Sequence, residues 1–88
     1  TMVISLALEE LMTIITQKSC PPDGFMDVRV LAWENKRIIR IRGAGRRYNP
    51  IEAQDGSLDY MGVKMICGLA SRTEYLSALG VNTLIIYI

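Results

Sequence analysis

The sequence predicts a small α+β domain: one unit over residues 1–88, in the order α-β-β-α(α)-β, with helices packed on a small sheet around a central β-hairpin. Three observations lead there. An apolar run near the start keeps helical spacing, two β-branched stretches flank a short polar turn in the middle, and the chain ends in the nearly continuous apolar "VNTLIIYI". Elements in this order favour helices laid against a sheet over a strictly alternating parallel fold. A chain of 88 residues has room for one modest core, which excludes two independent lobes. There is no internal repeat and no low-complexity linker.

Ser5 can cap a first helix over 6–18, with Glu9 and Glu10 near its positive end and Lys18 near its negative end. Leu8, Leu11, Met12 and Ile15 then share a face, which Ile4, Ala7 and Ile14 widen. "SCPPDG" ends that helix and turns the chain. Residues 27–34 and 37–42 read as strands joined at Asn35-Lys36. That turn places Arg29 opposite Arg42 and Ala32 opposite Ile39. Alternation then puts Val28, Val30, Ala32, Ile39 and Ile41 against the first helix, and Arg29, Arg40 and Arg42 among Leu31, Trp33 and Ile38 on the other face.

"GAGRRYNPIEAQDG" is rich in breakers and reads as an irregular connection. Asp55 or Ser57 can cap a second helix with Leu58, Met61, Met65 and Leu69 along one stripe, although Gly62 and Gly68 weaken it and "GVKMIC" has an alternative reading as a strand. Ser71-Arg-Thr-Glu74 fits a capping box, predicting a short helix over 72–79 ended by Gly80. The terminal strand reads as an interior one. With only three strands predicted, pairing across a dimer is the expected completion, and a chain that is 50% hydrophobic supports self-association on its own.

Charge is unevenly spread. Residues 29–47 carry seven of the ten basic residues and one of the nine acidic ones, a net of +6, while the rest of the chain is −5. Such crowding points to a local anionic partner better than the overall charge of +1 does. A solvated hairpin balanced by acidic neighbours is the plain alternative.

Little else in the chain signals chemistry. With no histidine and with Cys20 and Cys67 far apart, neither a zinc site nor a thiol redox motif is formed, and the usual serine or cysteine nucleophile arrangements lack their base. Gly43-Ala-Gly45 fails the dinucleotide fingerprint, because Tyr48 stands at the third glycine and Pro50 follows instead of a helix. Glu52, Asp55 and Asp59 cluster tightly enough to suggest magnesium ligands, but Asp55 and Asp59 read more readily as helix-start charges. No metal, cofactor or catalytic residue is expected.

Glu9 and Glu10 interrupt the apolar start and no basic region leads it, so it reads as neither a signal nor a membrane span. Thr1 ahead of Met2 reads as a leftover of expression. Two cysteines without a leader suggest free thiols in a reducing cytoplasm. The resulting expectation is a non-enzymatic binding module that engages RNA or single-stranded DNA through Arg29, Trp33, Arg40, Arg42, Arg46, Arg47 and Tyr48. Arg46 and Arg47, just past two glycines, are expected to swing toward the ligand. The alternative is a protein–protein module meeting an acidic surface or a second copy through apolar strands.

Overall fold

In the computed structural model, which describes residues 2–88 apart from the side chains of Val3 and Trp33, the first helix is α1 (Met2–Lys18). Strands β1 (Met26–Trp33) and β2 (Lys36–Ala44) follow, then α2 (Pro50–Ala53), a 3-10 turn (Leu58–Tyr60), α3 (Met61–Leu69), β3 (Arg72–Ala78) and β4 (Val81–Tyr87). The strands form one antiparallel sheet in the order β1-β2-β4-β3. Helices α1 and α3 cover one of its faces. Ile39 and Ile41 on β2 pair with Ile86 and Leu84 on β4, and these four side chains are at most 3% exposed. They meet Ala7, Leu11 and Ile14 of α1 and Val63 and Ile66 of α3. Burying each large aliphatic side chain contributes roughly 1.5–3 kcal/mol. The predicted α+β class, helices on a small sheet, is the one the chain adopts.

The largest departure is at residues 72–79, which form a strand and not a helix. Arg72–Ala78 alternates between exposed and half-buried positions, and Leu79-Gly80, both at positive φ (53° and 76°), closes a two-residue hairpin into β4. That turn matches the twist of paired strands. A helix here would have left one edge of β4 without backbone partners; the strand supplies them. Strand β4 is therefore interior within a single chain, and no second copy is needed to complete its pairing.

The β1–β2 hairpin turns at Glu34-Asn35, one residue earlier than Asn35-Lys36, so Trp33 pairs with Lys36 and Arg29 with Arg40. Glu34 adopts the left-handed backbone at φ 51°. Moving the turn by one residue shifts every pairing by two, and an even shift keeps each side chain on its face. It also sets Asp27 opposite Arg42, where the two form an ion pair at 3.2 Å. Val28, Val30 and Ala32 do lie on the helix side, as the alternation predicts, but they are exposed because the helices reach only to β2.

Both helices are rotated relative to the expected faces. Helix α1 starts at Met2, so Ser5 lies inside it and no acidic residue falls in its first turn; its buried stripe is Ala7-Leu11-Ile14, with Leu8 and Ile15 half-buried beside it. Helix α3 buries Gly62, Val63 and Ile66, so that of the expected stripe Met61 and Leu69 face outward, Leu58 in the preceding turn is 82% exposed, and Met65 alone packs half-buried against the core. The cause is Gly62. A Cβ there would lie 2.6 Å from Glu10 Cβ and 2.9 Å from the Ala7 carbonyl oxygen, so the glycine lets α3 cross α1 at backbone distance.

Gly62→Ala should cost about 1–3 kcal/mol through that overlap. Gly68→Ala, on the same helix with nothing within 4 Å, should be neutral or stabilise by up to about 1 kcal/mol, the difference in helix propensity. Denaturant unfolding of the pair checks this; equal effects would show that α3 does not cross α1 through Gly62.

Candidate functional site

With the helices on one face, alternation leaves the opposite face bare. Across its middle the register places Arg29, Arg40, Ile85 and Glu74 in one row, with Leu31, Ile38, Tyr87 and Arg72 in the next. Arg29, Leu31, Ile38, Arg40, Ile85 and Tyr87 line a shallow concavity of about 200 Å³. Its floor is apolar, and its cationic side is formed by the two arginines.

The charges around it differ in what already neutralises them. Arg42 bridges Asp27 and lies 5.8 Å from the centre of the Phe25 ring. Arg72 stacks on the Tyr87 ring at 4.1 Å and reaches Glu74 at 3.7 Å, while the Tyr87 hydroxyl donates to the same carboxylate. The Tyr87 hydroxyl and Glu74 together hold the Arg72 guanidinium above its ordinary pKa. Arg29 and Arg40 face each other directly, and among the described residues neither has a carboxylate within ion-pair distance. The Arg40 Nε is shut off from solvent and has no acceptor among the described residues. The like-charge pair expected at Arg29 and Arg42 is thus Arg29 and Arg40, while Arg42 meets an acid.

The loop arginines lie elsewhere. Arg46 Nε donates to the Lys18 carbonyl at 2.7 Å, capping the negative end of α1. Its own carbonyl accepts from Ser19 Oγ at 2.6 Å and from Asn82 Nδ2 at 2.8 Å. Asn82 also accepts from the Tyr75 hydroxyl, which in turn accepts from the Tyr48 amide at 2.9 Å. Gly45 (φ 149°) passes so close to α1 that a Cβ would lie 2.5 Å from the Ser19 carbonyl oxygen. Gly45 therefore lets the loop lie directly against the end of the helix, where Arg46 is engaged, while Gly43 sits in β2 beside Phe25. Arg47 is held over the Tyr75 ring at 5.4 Å, on the helix side of the sheet. Tyr48 points inward, its hydroxyl 2.8 Å from that of Tyr60.

Of the seven residues singled out from the sequence, Arg29, Arg40 and Arg42 share the open face, and Arg46, Arg47 and Tyr48 form a separate, structural cluster. Trp33 follows Ala32 in β1, but its side chain, and with it any stacking role, lies outside the described residues. Sequence reasoning misses Ile85 and Tyr87 because the apolar run of β4 reads as uniformly buried. It misses Arg72 because that strand reads as a helix; the two-residue period of "RTEYLSA" before Leu79-Gly80 is the available signal.

No three potential metal ligands converge among the described residues; Asp55 instead accepts hydrogen bonds from Ser57, which hold its carboxyl below the usual range. No described helix is long and apolar enough to cross a membrane. A scan against protein-family models and a comparison with curated proteins both find no match. Fold and site together define the class: a small α+β domain whose four-stranded antiparallel sheet has one open face with two opposed arginines that no carboxylate among the described residues neutralises.

Burial, followed by the hydrogen bond to Tyr60, pushes the Tyr48 hydroxyl well above its ordinary value of 10.0. Its folded-state value is raised, so the stabilisation is complete below the unfolded value and is lost as pH rises toward the folded one, because the unfolded chain ionises first. Tyr48→Phe should flatten the fall in Tm above about pH 10, measured against wild type by thermal melts. An unchanged alkaline limb would exclude Tyr48 as its source.

Proposed function

We propose that the chain is a non-enzymatic binding module whose open sheet face takes an extended anionic ligand, with single-stranded RNA or DNA the best fit. The observation that carries this is the opposed pair Arg29 and Arg40. Like charges across a strand pair are unfavourable, and an unpartnered buried donor such as Arg40 Nε costs about 1–3 kcal/mol. A phosphate between the two guanidiniums relieves the first of these costs, and arginine forks bind phosphate in bidentate fashion. Beside it, Ile38, Ile85 and the Tyr87 ring offer a flat apolar floor for a base.

An acidic protein surface is the second reading. Leu31 and Leu76, 57% and 65% exposed on the same face, suit an apolar contact surrounding the arginines. A reducing cytoplasm belongs to either reading, in keeping with Cys20 and Cys67 as free thiols.

Titration of a labelled single strand at several salt concentrations separates the two arginine groups. Arg29→Ala with Arg40→Ala should weaken binding and flatten the log–log salt dependence by about 0.7 for each phosphate no longer neutralised. Arg46→Ala with Arg47→Ala should leave the slope unchanged. No binding by wild type, or a loss confined to the loop variant, would overturn the proposal; wild-type capture of an acidic protein at the same face would favour the second reading.

A further inference from the structure

We propose that two copies of the chain pair through β1, antiparallel about a two-fold axis at Val28, joining their sheets edge to edge. The first support is the direction of the backbone. The Ala44 amide donates to the Phe25 carbonyl at 3.0 Å, one step beyond the β1–β2 register of Met26 with Gly43. Residues 25, 27, 29 and 31 therefore turn their backbone groups toward β2, and Met26, Val28, Val30 and Ala32 turn theirs outward. This edge has no proline, lysine or bulge to discourage pairing.

The second support is the side chains. Phe25, Val28, Val30 and Leu31 are 37–57% exposed, an apolar set along one edge. With Val28 on the axis, Met26 of one copy stands opposite Val30 of the other, and Phe25 opposite Leu31. Every one of these exposed residues then gains an apolar neighbour.

Charge selects this register. It sets Asp27 of one copy opposite Arg29 of the other, twice, in non-hydrogen-bonded positions where side chains come closest. Arg29 has no ion-pair partner among the described residues, and the Asp27 carboxylate, which engages Arg42 through Oδ2, is still 43% exposed. The neighbouring registers that keep the same backbone directions are worse. One sets Arg29 against Arg29, the other Asp27 against Asp27. Moving the axis to Val30 leaves Arg29 facing Leu31. The opposite edge, β3, lacks this complementarity, since Arg72 and Glu74 already satisfy each other.

The proposal does not depend on nucleic-acid binding. In the dimer Arg29 meets Asp27 of the other copy, so of the opposed pair Arg40 is left to meet a phosphate at each open face.

Sedimentation across the micromolar range should show a dimer for wild type. Val28→Pro should give a folded monomer, because the lost N–H points out of the sheet. In a Cys67→Ser background, Val28→Cys should cross-link on oxidation, its Cα atoms about 5.5 Å apart across the axis. Val30→Cys, whose Cα atoms would lie about 14 Å apart given the rise per strand residue, should not. A wild-type monomer throughout, a Val28→Pro dimer, or equal cross-linking of the two cysteine variants would overturn the proposal; if Val28→Pro does not fold, the cysteine pair decides it.

Discussion

Strands β2 and β4 are pinned by the burial of Ile39, Ile41, Leu84 and Ile86 under α1 and α3, and the strict two-residue period of a strand carries that constraint through the rest of the sheet. Once those four side chains are committed to the core, Ile38, Arg40, Ile85 and Tyr87 must point the other way. The same constraint tolerates an even shift of the β1–β2 register, which is why moving the turn to Glu34-Asn35 changes every partner of β1 and the face of none. Core and candidate site are two sides of one pair of strands.

The two layers are also joined at one end by polar groups. Asn82, on the helix side of β4, links the loop after β2, the end of α1 through Ser19, and β3 through Tyr75. This cluster accounts for Gly45, Arg46 and Tyr48 without any ligand. Composition alone could not separate these loop arginines from those on the sheet, because both belong to one basic stretch of sequence. What separates them is satisfaction: Arg46 caps a helix and Arg42 meets Asp27, while Arg29 and Arg40 meet each other.

The class of fold and the faces of the hairpin were legible because they follow from hydrophobic period, which survives small errors in where a turn falls. The identity of β3 was not, because Ser71-Arg-Thr-Glu74 satisfies a local helix-start pattern. The opposing evidence, a left-handed Leu79 and the need of β4 for a second neighbour, is tertiary. The expected stripe on α3 misled for a related reason. Leu58, Met61, Met65 and Leu69 have the right spacing for a core face, but close approach to α1 is possible only at Gly62, and that steric fact outweighs their hydrophobicity. For the site, Arg29, Arg40 and Arg42 could be placed on one face from the sequence, whereas their neighbours Ile85 and Tyr87 required the strand order.

The central claim is that the bare sheet face, and not the basic loop, is the binding surface. Backbone amide shifts of the labelled protein, followed by NMR as a short single-stranded oligonucleotide is added, test it most directly. The account predicts saturating shifts at Arg29, Leu31, Ile38, Arg40, Ile85 and Tyr87, with Arg46, Arg47 and Tyr48 and the α1–α3 layer unmoved. Shifts centred on residues 45–48, or on the helices with the sheet silent, would contradict it.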